Sequence, residues 1–253
     1  MIAFLKKEWM ELWRTGRFLV LLLVFALLGI MNPAMAKLMP WMMETLSESL
    51  ADSGITVTAV TVDAMDSWTQ FYKNIPIGII VFALLSSGSF TSEYQRGTLI
   101  PVAAKGLSRW NILLAKALTA CAAWTALYGL CFGITYGYNA YFWDNGVASH
   151  LFLGASMAWL FGIWVIGLLV FFSASAKSSA QVLLGTGGIV LAVYLMGMFP
   201  RFGKYLPVAC LDGLPLLQGA TCPGDYSASM AAAVGMALLC LALGGVCFSR
   251  KQL

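Results

Sequence analysis

Few side chains in this 253-residue sequence are spaced for chemistry. A nucleotide-hydrolysing P-loop needs G-x-x-x-x-G-K-[ST]; the nearest text, Gly203-Lys204-Tyr205, has the wrong spacing and no hydroxyl for magnesium. The chain is therefore expected to hydrolyse no ATP by itself. His150 is the one imidazole in the sequence. A serine hydrolase would need it beside a buried serine, but at the edge of an apolar segment it reads as an interfacial residue. With one His and no C-x-x-C pair, zinc has no ligand set. Cys121, Cys131, Cys240 and Cys247 fall in apolar segments, where a thiol behaves as a small apolar group. Cys210 and Cys222 share a polar connection, so a disulfide can form between them if that compartment is oxidising. Ser86, Ser87 and Ser89 are small polar groups suited to bonds between helices or to lining a path, and the first role is favoured. No catalytic, cofactor or metal residue is expected.

The elements that carry these residues follow from composition. Hydrophobic residues make up 60% of the chain and charged ones 10%, with mean hydropathy +0.82; a soluble domain carries about 25% charge. So few charges cannot cover a surface facing water, and the solvent is a bilayer. About 20 apolar residues cross its hydrocarbon core, and six segments qualify: 17–36, 74–92, 110–137, 150–173, 180–199 and 228–248. Residues 18–31 followed by Ala34-Met35-Ala36 also imitate a signal peptide. The preceding stretch, with Glu8, Glu11 and two tryptophans, favours a retained helix. The expectation is an all-α membrane protein forming a single transmembrane domain.

Six spans put both termini on one side. The segments on that side hold Lys6, Lys7, Arg14, Arg17, Arg96, Lys105, Arg109, Lys116, Lys177, Arg250 and Lys251, eleven cations against three acids. The other side holds four cations and eight acids, so the modest overall +4 conceals +8 inside and −4 outside. The positive-inside rule places both termini in the cytoplasm. Cations distributed as topology signals do not make a nucleic-acid surface. Lys116, the one cation within a span, is expected to snorkel to the headgroups. No carboxylate lies in a span, which argues against an ion-coupled secondary carrier.

Between the spans, residues 1–16 place Leu5, Trp9, Leu12 and Trp13 on one stripe with Lys6, Lys7 and Arg14 off it, the pattern of a helix lying in the membrane interface. Residues 37–73 are too long for a hairpin. They read as a small extracellular cap, with a short helix opened by Pro40 and an extended Ile55-Thr56-Val57-Thr58, or else as a flexible acidic loop. Residues 201–227 are rich in Gly and Pro and suit a re-entrant piece at 206–217, whose backbone must then be buried in protein. Small residues recur at four-residue spacing in Gly129, Gly133 and Gly137 and in Gly154, Ala158 and Gly162. Such stripes let helices approach closely, either within the subunit or along a dimer seam.

The most informative stretch runs Ser92-Glu93-Tyr94-Gln95-Arg96-Gly97-Thr98-Leu99-Ile100-Pro101, then Lys105-Gly106-Leu107-Ser108-Arg109-Trp110, ending at Lys116. Gly97 permits a sharp exit from the second span, Thr98 can cap a short helix, and Pro101 is tolerated in its first turn. An acidic residue, Gly-Thr-Leu, a short hydrophobic helix, a Ser-Arg pair and a Lys opening the next span resemble ABC-2 type permeases, the membrane subunits of ATP-driven exporters. Length, the interfacial helix, six spans, inner termini and the basic tail Phe248-Ser249-Arg250-Lys251 agree.

The resemblance implies that Glu93, Arg96, Gly97, Thr98, Lys105, Ser108 and Arg109 form a cytoplasmic coupling helix and its flanks, which would seat on a separate ABC ATPase subunit. It further implies two such ATPases, binding ATP and Mg on their own residues, and a second permease subunit, identical or paralogous, in a bacterial cell membrane. The cargo expected is an amphipathic peptide, such as a toxin or antimicrobial peptide, or a hydrophobic drug. Rival readings are a permease for lipid or polysaccharide, and a non-transporting membrane sensor or assembly factor.

Overall fold

The computed structural model describes residues 2–50, 62–88 and 108–250, and among them every regular element is helical. In chain order these are α1 (Ile2–Arg14), α2 (Arg17–Leu50), α3 (Ala64–Ser86), α4 (Arg109–Phe142), α5 (Leu151–Ser175), α6 (Ser179–Gly197), the single turns α7 (Pro200–Gly203) and α8 (Leu214–Leu217), and α9 (Ser227–Arg250). Short 3-10 turns join them at Asn145–Val147, Pro207–Leu211 and Pro223–Tyr226. Five helices, α2, α4, α5, α6 and α9, are long and apolar enough to cross a membrane. The expected second span, α3, carries Asp66, Gln70, Lys73 and Asn74 in its first half and is not among the five. The protein is an all-α membrane protein.

α5 is the hub. It is apolar on every side, as a helix surrounded by others must be, and buries Met157, Ala158, Trp164 and Ile166 almost completely. Its broadest contact is with α9, where Gly167 meets the Ala237 backbone and Gly244 meets that of Phe171. α2 packs on both α3 and α4. α6 stands outermost, burying only Val182 and Thr186 and exposing Leu184, Leu191 and Tyr194.

Two boundaries differ from the sequence expectation. α2 does not stop at residue 36, nor does Pro40 open a new helix, because Pro33 and Pro40 both lie inside one continuous 34-residue helix. Proline removes a bond to the carbonyl four residues back, and for Pro33 that carbonyl is Gly29. The Thr135 hydroxyl of α4 replaces the missing donor, 3.1 Å from Gly29 O, which is how a membrane helix tolerates an internal proline. α3 begins at Ala64, ten residues before residue 74, because Asp63 caps it: its carboxylate accepts from the Met65 N–H at 2.8 Å while Asp66 accepts from the Asp63 N–H. The 37–73 segment is thus largely the end of α2 and the beginning of α3; the extended stretch at 55–58 lies outside the described residues.

At 206–217 the chain does turn back into the protein. Cys210, Leu216 and Leu217 are fully buried against the end of the bundle, and the Ser149 N–H donates to Leu217 O at 2.8 Å.

Candidate functional site

Three elements converge at the end of the bundle that holds α1, and they meet on the first two turns of α4. Ser108 is the N-cap of α4, its hydroxyl accepting from the Asn111 N–H at 3.3 Å. Arg109 donates through Nη1 to Phe248 O and Ser249 O at the last turn of α9, at 3.4 and 3.1 Å. Carbonyls in the last turn of a helix carry its partial negative charge, which favours a cation there. Trp110 lies flat against Gly245, where a Cβ would fall on its ring. The start of α4 is therefore fastened to the end of α9.

It is fastened to α1 by a buried ion pair. Lys116 Nζ is 2.7 Å from Glu8 Oε2, with the two side chains 1% and 5% exposed. Glu8 Oε1 takes a second cation, Lys7, at 3.1 Å, and Lys7 also bridges to Glu11 at 3.0 Å. A charge removed from water needs this kind of full pairing. Lys116 therefore does not snorkel toward headgroups. The stripe on α1 shifts accordingly: Phe4 and Glu8 face inward, while Trp9 and Trp13 stand exposed and pack on Phe18.

Glu8 shares the helical face of Leu5 and Leu12, and a carboxylate on an apolar stripe signals a buried partner. The identity of that partner, 108 residues away, has no local trace. A second network also escaped the sequence reading. Asn74 of α3 donates to Asn32 of α2 at 2.7 Å, and Asn32 donates to Thr135 of α4 at 3.0 Å. Polar bonds of this kind hold membrane helices in register.

Of the loop residues singled out from sequence, Glu93, Arg96, Gly97, Thr98 and Lys105 lie outside the described residues. Ser108 and Arg109, at its exit, are the cap and clamp just described.

The two small-residue stripes separate cleanly. A Cβ on Gly154 would lie 2.5 Å from Tyr72 Oη and 2.6 Å from Leu217 Cδ1, Ala158 is fully buried, and Gly162 takes the flat of Trp124. That stripe packs the subunit. Gly129, Gly133 and Gly137 face open space, and with Ile134, Tyr138, Tyr141 and Phe142 the latter two line a shallow apolar groove. Cys210 and Cys222 are both unbonded: Cys210 is buried with its thiol 3.7 Å from the Ser229 hydroxyl, and Cys222 is exposed. Burial pushes the Cys210 thiol up, outweighing the opposing effect of its hydrogen bond with Ser229.

Known membrane proteins resemble this chain over most of its length. The family profile described as "ABC-2 family transporter protein" covers residues 2–253. An uncharacterized transmembrane protein of Bacillus subtilis (strain 168), YxlG, is 22% identical over 224 residues, which are 82% of this chain and 80% of that protein. The chain belongs to the ABC-2 family of transporter membrane proteins.

Proposed function

We propose that the chain is the membrane-spanning permease subunit of an ATP-driven exporter, and that it works as a dimer with two separate ATP-binding subunits. The observation that carries this reading is the fastening of α4 on the exit side of the 92–109 loop. Force that reaches the start of α4 is passed to α9 through Arg109 and to α1 through Lys116. Membership of the transporter family and the absence of a P-loop from the sequence give the same division of labour, with ATP and Mg held by the partner.

In this reading α3 joins the five apolar helices as the sixth span, its polar first half projecting outward, and α1 lies in the interface of the cytoplasmic leaflet. α2 and α4, with 34 residues each, would be about 51 Å long at 1.5 Å per residue, more than the roughly 30 Å of hydrocarbon. They therefore also extend beyond it. The second permease copy is assigned to the open Gly129, Gly133 and Gly137 face, which no described residue covers.

The orientation has its own test. In single-cysteine variants, a membrane-impermeant maleimide should label Cys222 in intact cells and Cys247 only after permeabilisation. Cys210, buried and with its thiol raised, should resist on both sides. Labelling of Cys247 in intact cells would reverse the topology.

The cargo is proposed to be an amphipathic peptide, for which the Met-rich and aromatic composition of the spans supplies adaptable apolar contacts. Substrate-stimulated ATP hydrolysis by the reconstituted complex, across a panel of peptides, drugs and lipids, tests it. Stimulation by a peptide is the expected result; stimulation by lipids alone would replace the cargo.

A further inference from the structure

A cavity of about 50 Å³ lies beside the Glu8–Lys116 pair, enclosed by α1, α2, α3, α4 and α5. That is several times the space one water needs. Its polar lining comes from Glu8, Arg17, Ser86, Lys116, Thr119 and Ser173, set among leucine, isoleucine and valine side chains. The charges do not cancel. Glu8 is fully engaged, Oε2 by Lys116 and Oε1 by Lys7, which leaves Arg17 as the unmatched charge.

Arg17 is half-buried, opens α2, and among the described residues has neither an acidic partner nor a hydrogen-bond acceptor. Ser173 is 7% exposed, and its hydroxyl makes no hydrogen bond among the described residues. An unmatched guanidinium, an unused buried hydroxyl and the positive end of a helix are all donors or positive charges directed at one small space. What they lack is an anion with several acceptor oxygens.

We propose that this cavity binds the phosphate headgroup of an anionic membrane lipid. Phosphate suits the planar fork of Arg17, and basic pockets between membrane helices are recognised sites for such headgroups. A lipid is favoured over free phosphate because the rest of the lining is apolar and because Val20, one turn beyond Arg17, is exposed. An acyl chain can leave the cavity along that side of α2. Naming the leaflet as cytoplasmic rests on the orientation proposed above; the binding does not.

The test uses the full-length chain alone, so its failure leaves the permease reading standing. The purified protein is titrated with phosphatidylglycerol or phosphatidylcholine and followed by native mass spectrometry, with inorganic phosphate as a separate arm. Phosphatidylglycerol should be retained preferentially. Arg17→Gln should weaken it at least about fivefold, the effect of one interfacial cation, and Arg17→Lys should retain most of the binding. Arg14→Gln, which removes an exposed cation of α1 outside the cavity, should change it less than about twofold. Ser173→Val, which leaves every charge in place, should also weaken retention. Equal binding of the two lipids, or equal losses in the Arg14 and Arg17 variants, would overturn the proposal. Inorganic phosphate competing with phosphatidylglycerol would mark a free-anion site and overturn the lipid assignment.

Discussion

Replacing Lys116 by methionine is expected to destabilise the protein by about 3 kcal/mol, the lower part of the range for breaking a buried ion pair. The loss arises because Glu8, with its side chain 5% exposed, loses its closest partner. Lys7 remains 3.1 Å from the other carboxylate oxygen, which is why the upper part of the range is not expected. The double variant Glu8→Leu with Lys116→Met removes both charges together and should recover most of the stability, since an apolar replacement of a whole buried pair is often neutral. Equilibrium unfolding in mixed micelles measures both. A double variant no better than Lys116→Met would mean that the two residues act independently.

In the functional reading the same pair fastens the interfacial helix to α4. The double variant should therefore fold and bind the ATPase yet transport less cargo per ATP hydrolysed, because α1 no longer follows α4. A swap, Glu8→Lys with Lys116→Glu, restores the attraction and should restore part of the coupling. Unchanged transport per ATP in the double variant would leave the pair with a structural role alone.

The second large effect lies in the packed glycine stripe. Gly162→Leu should cost about 3 kcal/mol or more, because Trp124, 1% exposed, occupies the space a side chain would need. Trp124 cannot yield cheaply: its indole donates to Trp159 O at 3.1 Å, and its ring packs on Phe25, Phe82 and Tyr128 with centroids 5.5–5.7 Å apart. Loss of a monodisperse peak in size-exclusion chromatography is the readout. Gly133→Leu, by contrast, meets open space within the subunit and should leave the monomer folded while weakening the proposed dimer. If Gly133→Leu unfolds the protein and Gly162→Leu does not, the assignment of the two stripes is reversed.

That contrast marks where the sequence stops being informative. Both stripes have the same spacing, and periodicity tells that a helix can be approached closely, not what approaches it. The fold class was legible because a 10% charge content leaves only the bilayer as solvent. Helix ends were less so: the beginning of α3 depends on Asp63 and Asp66 capping each other in a segment whose hydropathy says loop, and α2 runs through Pro33 because Thr135, more than a hundred residues later, supplies the missing donor. Lys116 was visible as an odd charge in a span, but its partner sits on α1, and the pairing of two such distant residues is written in neither segment. At the exit of the loop, Ser108 caps α4 and Arg109 clamps it to α9, and the clamp's acceptors are backbone carbonyls, which no sequence pattern displays.

The measurement that bears most directly on the central claim is co-purification of this chain with a candidate ATP-binding subunit from the same genome, scored by the mass of the complex and its ATP hydrolysis. The account predicts a complex of two permease and two ATPase copies, with Arg96→Glu and Gly97→Leu, in the connection itself, reducing assembly or coupled hydrolysis at least about tenfold while the chain stays folded, equivalent to about 1.4 kcal/mol. No complex, together with transport that is unaffected by those substitutions, would contradict it.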